Sequence, residues 1–176
     1  MAHDRHYCPE CGTALTTKEA EGRDRQFCPS CQRVLYRNPK PCAGVIVVDG
    51  ESILLVKRTE PPAVGAWSLP AGYLEADEPP EQAAVRELCE ETTLEVKTDE
   101  LTLIDTVFVK HPTGKHVLVI VYATPRSAVG GKPQAGSDAA AASFWRMSEI
   151  LDSESERLEP GYLETFCRAR ESVLER

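Results

Sequence analysis

Between Gly72 and Leu94 the chain reads GYLEADEPPEQAAVRELCEETTL. A helix turns about 100° per residue, so Glu87, Glu90 and Glu91 project within one arc. Like charges this close repel by an amount that water only partly screens, and a divalent cation would neutralise them. Hard carboxylate oxygens suit Mg2+ or Mn2+, whereas zinc prefers nitrogen and sulfur. Arg86, one turn before Glu90, is placed to orient that carboxylate and hold its charge. Glu78, beside Pro79 and Pro80, is a candidate for a second metal position or for bracing the loop. The chemistry this suggests is metal-assisted attack on a charged, oxygen-rich substrate.

A second cluster lies near the amino terminus. Cys8 and Cys11 form one CxxC pair and Cys28 and Cys31 another. Two such knuckles can place four thiolates tetrahedrally around Zn2+ and so fold a segment with little core of its own. A closed four-sulfur shell leaves no position for water, so this zinc is expected to be structural. Two disulfides or a redox CxxC are the alternatives. No secretory signal precedes the cysteines and no βαβ pattern surrounds them, which favours zinc.

These residues need elements to position them. Pro79 and Pro80 open a helix that carries the glutamates, and Ala84, Val85, Leu88, Cys89 and Thr92 offer a face for packing on a sheet. Ala43–Val48 and Ile53–Arg58 are apolar, β-branched runs joined by Asp49-Gly50, a strong hairpin signal. Arg58 ends the second run and is a candidate for binding a substrate phosphate. Trp67 is expected to pack under the Pro61–Leu69 loop. Residues 101–110 and 116–124 suggest another hairpin, with His111 and His116 flanking its turn. A short strand is expected at Ala142–Arg146 and a closing helix at Glu159–Leu174. Tyr36-Arg37-Asn38-Pro39-Lys40-Pro41 reads as an extended linker, which divides the chain into 1–36, a linker at 37–41, and 42–176. Cys42, Cys89 and Cys167 are expected to be packed rather than reactive.

The stretch from Gly72 resembles the Nudix box: Gly, five residues, Glu, seven residues, then Arg-Glu-apolar-x-Glu-Glu-x-Gly-apolar. The slots are Gly72, Glu78, Arg86, Glu87, Leu88, Glu90, Glu91, Thr93 and Leu94, and eight of the nine match. The departure is Thr93 in the glycine slot. A β-branched residue held there in a left-handed conformation would cost about 1–2 kcal/mol, so the loop after the helix is expected to differ while the ligands stay.

The resemblance implies an α/β/α sandwich with a mixed sheet, preceded by the small zinc ribbon. It implies a Mg-dependent hydrolase that cleaves the diphosphate bond of a nucleoside diphosphate linked to another group. Glu87, Glu90 and Glu91 would be metal ligands, with Glu78 as a further candidate and a backbone carbonyl near Gly72 completing the shell. Asp138, in a Gly-Ser-Asp-Ala segment, resembles an acidic residue of ADP-ribose-type members and joins Arg86 and the three glutamates as a candidate catalytic residue. A ribbon, a Tyr-Arg-x-x-Pro linker and a Nudix domain in that order are similar to the NADH pyrophosphatase and ADP-ribose pyrophosphatase group. The Ser-Gln-Pro-Trp-Pro-Phe segment of NADH pyrophosphatases is absent from this sequence, so an ADP-ribose-like nucleotide is favoured.

Composition sets the remaining bounds. With 176 residues, 41% of them hydrophobic, the chain can bury one domain beside the ribbon. The formal net charge of −8 disfavours broad binding to nucleic acid, although Arg23, Arg25, Arg33 and Arg37 leave a local basic patch open. There is no apolar run long enough to span a bilayer. The expected location is the cytoplasm, the expected partner is a small-molecule nucleotide, and the resemblance leaves a homodimer open. The alternative to an enzyme is a zinc-ribbon module that senses a nucleotide or binds RNA beside a non-catalytic Nudix domain.

Overall fold

The computed structural model describes residues 5–61, 63–110, 114, 116–136, 139–152 and 158–175. Three short antiparallel strands come first: β1 (Thr16–Ala20), β2 (Arg23–Cys28) and β3 (Arg33–Leu35). Glu21 and Gly22, both at positive φ, form the two-residue turn between β1 and β2, as a tight hairpin requires. Within 5–37 only Cys8 and Cys28 are buried. This sheet therefore has almost no apolar interior and depends on its cysteines.

The larger sheet holds β4 (Lys40–Asp49), β5 (Ser52–Arg58), β6 (Trp67–Ser68), β7 (Ala71–Tyr73), β8 (Thr102–Lys110), β9 (His116–Pro125) and β10 (Ala139–Arg146). Its order is β10-β5-β4-β9-β8, with β6 on β5 and β7 on β4. β4 and β9 run parallel from Lys40↔Val117 to Val48↔Pro125, and the other paired strands among the described residues are antiparallel. The sheet is therefore mixed. Its helices are α1 (Pro80–Thr92), α2 (Met147–Asp152) and α3 (Leu163–Leu174).

β4 is buried along almost its whole length, as a strand covered on both faces must be. Ile46, Val48, Ile53, Leu55 and Val121 pack with Ile150, Tyr162 and Phe166 on one face. Ala43, Val45, Val47 and Leu54 pack with Ala83, Ala84 and Leu88 of α1 on the other. The result is helix on sheet on helix, the expected sandwich.

Both anticipated hairpins form, the first turning at Gly50 and Glu51. β10 starts three residues earlier than expected, paired to β5 through a bulge. The closing helix starts only at Leu163, because Gly161, at φ +101°, lies outside the helical region and breaks the run after Pro160. α2 was not anticipated. Cys89 is exposed and Val85 only half-buried. α1 turns Ala83 and Glu91 to the sheet instead, alongside Ala84, Leu88 and Thr92.

Candidate active site

α1 opens on extended Pro79, with Pro80 in the first helical position, where the missing N–H costs nothing and φ is already helical. Ala, Glu, Arg and Leu then carry it forward. Its rotation toward Glu91 has a chemical result. Glu91 is 6% exposed, and its Oε2 accepts the backbone N–H of Ala71 at 3.1 Å, as a buried carboxylate demands.

Arg86 organises the remainder. Its Nε donates to Glu78 Oε2 at 3.1 Å and Nη2 to Glu78 Oε1 at 2.6 Å and Tyr73 O at 3.0 Å. Its Nη1 donates to Glu87 Oε1 at 2.7 Å and Glu90 Oε2 at 3.2 Å. All five guanidinium N–H groups thus have acceptors. The Arg86 bonds hold the Glu78 carboxyl below its ordinary pKa, and Glu78 in turn raises that of Arg86. Glu78 also accepts the N–H of Glu75 at 2.9 Å, so it closes the loop that precedes α1.

Glu87 lies flat against β7. A Cβ built on Gly72 would sit 2.1 Å from Glu87 Oε1, which explains the glycine at that slot by space rather than torsion. Glu90 is the open member, its side chain about half exposed. The three carboxylates share one side of α1 but do not meet at a point. Among the described residues only the four ribbon thiols form a group of three or more metal-type ligand atoms all within 4.8 Å of one another. Glu78, Glu87 and Glu90 around Arg86, with Glu91 on the same side of α1, gather hard carboxylate oxygens, a donor set that fits Mg2+ or Mn2+.

Thr93 does leave the helix in the left-handed conformation, at φ 59° and ψ 12°, with its N–H on Cys89 O. The expected change of exit geometry does not occur. The hydroxyl donates to Lys132 O at 3.3 Å, a tie that glycine could not make.

Arg58, at the end of β5, has Nη1 3.7 Å from Glu159 Oε2 and a buried Nε without a hydrogen-bond partner. Cys42, on β4, feels the charges of both Glu87 and Arg58. Burial, then Glu87, pushes its thiol up to about 12, so it stays protonated and inert. Trp67 packs against Trp145 with ring centroids 5.0 Å apart and planes tilted by 56°, a contact that the sequence did not announce. Tyr73 is half exposed beneath Lys40. His116 packs against Phe108. Asp138 and His111 lie outside the described residues.

In the ribbon, Sγ of Cys8 and Cys31 are 3.9 Å apart and those of Cys11 and Cys28 are 3.5 Å apart. Four sulfurs each about 2.3 Å from zinc would be roughly 3.8 Å from one another in a tetrahedron, so the thiols fit Zn2+. All seven cysteines are free, which removes the disulfide alternative.

The NUDIX domain family matches residues 38–167. The chain is 35% identical over 116 residues to an ADP-ribose pyrophosphatase of Methanocaldococcus jannaschii, covering 66% of this chain and 67% of that protein. It is 33% identical over 114 residues to a MutT-like protein of Streptomyces ambofaciens, covering 65% and 68%. The crystal structure of a MutT NUDIX hydrolase from Burkholderia pseudomallei superposes with a TM-score of 0.64 at 27% identity, covering 78% of this chain and 99% of that one. With the box residues gathered around Arg86 on the expected sandwich, the chain belongs to the Nudix family, as a hydrolase of pyrophosphate bonds that carries an amino-terminal four-cysteine module.

Proposed function

We propose that this hydrolase depends on Mg2+ or Mn2+ and cleaves the diphosphate bond of a nucleoside diphosphate linked to another group, with an ADP-ribose-like nucleotide as the favoured substrate. The observation that carries the reading is the gathering of the Glu78, Glu87 and Glu90 carboxylates around one guanidinium, Arg86, on the helix that also carries Glu91. The similarity to an ADP-ribose pyrophosphatase supports the choice of substrate.

In this reading Glu87, Glu90 and Glu91 hold the cation, which when bound would offset charge on the bridging oxygens and polarise the attacking water. Ala71 N–H and Arg86 fix the aim of these carboxylates, so little reorganisation is needed during reaction. Glu78, with both oxygens engaged by Arg86, takes the bracing role rather than that of a ligand. Arg58 offers its guanidinium to the substrate phosphates. Asp138 is the proposed general base. The proposed division is ribbon (1–36), linker (37–41) and hydrolase (42–176), with Lys40 and Pro41 at the end of the linker already paired to β9 as the start of β4, and Zn2+ is the proposed structural metal of the ribbon.

Thr93, the one departure from the box, keeps the left-handed helix exit, which supports the enzyme over the sensor alternative. The decisive experiment incubates the protein and Mg2+ with ADP-ribose, NADH, nucleoside triphosphates and capped RNA, with Glu91→Gln as the control. AMP and ribose 5-phosphate from ADP-ribose, absent in the control, are the expected result. Binding without turnover of any member would restore the sensor.

A further inference from the structure

The last turn of α1 carries Glu90 and Glu91, and the final carbonyls of a helix lack donors from their own chain segment. Here a distant segment supplies them. Gln134 N–H donates to Thr92 O at 2.9 Å and Gly136 N–H to Glu91 O at 3.1 Å. Gly130 and Glu95 exchange both of their backbone hydrogen bonds beside this contact. Gly136 is pressed against the helix, and an added Cβ would lie 2.6 Å from Glu90 O. Its own carbonyl accepts the N–H of Ala139, the first residue of β10, at 3.0 Å. Backbone carbonyl, not a flexible side chain, occupies the space that a methyl group would need.

We propose that Gly136 is a positioning residue for the reaction, acting through the backbone of Glu90 and Glu91. It sets the separation between the last turn of α1 and the start of β10, and hence the aim of both carboxylates. The side chain of Glu91 is held by Ala71 N–H and its carbonyl by Gly136 N–H. Moving one anchor while the other stays tilts the carboxylate, and a misplacement of about 1 Å can cost on the order of 100-fold in rate. The inference rests on reading Glu87, Glu90 and Glu91 as the metal ligands.

The test compares Gly136→Ala with Gly130→Ala. A Cβ at Gly130 meets only Glu95 O, at 3.8 Å, an ordinary contact in the same loop. Gly136→Ala is expected to lower kcat roughly 10- to 100-fold with KM nearly unchanged, and to weaken Mn2+ binding several-fold. Gly130→Ala should match the wild type in all three. Wild-type kcat and Mn2+ affinity in Gly136→Ala would overturn the proposal, as would equal losses in both variants. Should Gly136→Ala fold poorly, one glycine inserted between Lys132 and Pro133 slackens the loop without a clash. It should show the same kcat and Mn2+ losses, and wild-type values there would also overturn the proposal. Glu91→Gln separates the two levels: if it retains turnover and Mn2+ binding, the ligand reading itself fails.

Discussion

Glu78 receives the Arg86 guanidinium on both of its oxygens, although the two residues are eight positions apart and only one of them is on the helix. The pair locks the loop before α1 to the middle of α1, and the remaining donors of Arg86 then point Glu87 and Glu90. Lysine carries the charge but not the planar fork. Arg86→Lys should therefore lower kcat about 10- to 100-fold, measured at saturating Mg2+. Turnover within twofold of the wild type would show that charge alone suffices there.

The same pair gives a pH signature. Arg86 holds the Glu78 carboxyl below its ordinary 4.5, so the ionised form is the stabilised one. Its contribution is complete above 4.5 and is lost as pH falls through the depressed folded-state value. The melting temperature of the wild type minus that of Glu78→Gln should stay constant from neutrality to about pH 5 and shrink below it. A difference that grows on acidification would mean that Glu78 is held neutral.

Two neighbouring glycines should fail in different ways. At Gly44 a Cβ would meet Ala71 Cβ at 2.5 Å and Pro70 O at 2.6 Å, whereas at Gly72 it meets the tip of Glu87. Gly44→Ala forces backbone apart and should destabilise by about 3 kcal/mol. Gly72→Ala displaces a movable carboxylate, so it should keep its stability while losing roughly 10- to 100-fold in turnover. Urea titration and kinetics on both variants check the contrast, and it fails if the two losses fall in the opposite proteins.

Thr93 combines a left-handed backbone with a hydroxyl bond to Lys132. Glycine would relieve about 1–2 kcal/mol of torsional cost. Against that stand about 0.5–1 kcal/mol for its freer unfolded chain and about 0.5 kcal/mol for the lost bond. Thr93→Gly should thus leave urea unfolding nearly unchanged, with a gain of about 0.25 kcal/mol at the midpoints of those ranges. A clear loss would mean that the hydroxyl does more for the fold than its exposed position suggests.

The ribbon should hold one zinc and report separately from the hydrolase. Trp67 and Trp145, the two tryptophans of the chain, both lie in the larger sheet. Stripping zinc with a chelator should open the β1–β3 amides to hydrogen exchange and leave tryptophan emission unchanged. Collapse of the emission would show that the hydrolase fold depends on the ribbon.

Much of this was legible from local pattern. The CxxC pairs, the apolar runs of β4 and β5 and the proline start of α1 each state their geometry within a few residues. What stayed hidden is decided at long range. A buried run such as 43–48 looks the same whether its neighbour is parallel or antiparallel, so the pairing of β4 with β9 was not readable. The rotation of α1 that exposes Cys89 and buries Glu91 comes from the sheet beneath it, where Ala71 N–H offers the carboxylate a partner. Gly136 sits in a loop rich in glycine and proline, and nothing in that composition reveals that a helix end rests on it.

The parallel seam between β4 and β9 also governs the order of events during synthesis. Lys40 must wait for Val117, and Val48 for Pro125, so the central strand leaves the ribosome long before its partner exists. Contacts this distant in sequence form slowly, and meanwhile an apolar strand stands with one edge bare. The β1–β3 module has no such delay, because every one of its pairings is local. A nascent chain would therefore present a finished zinc-holding knob ahead of an unfinished sheet, and chaperone demand should peak between the emergence of β5 and that of β9.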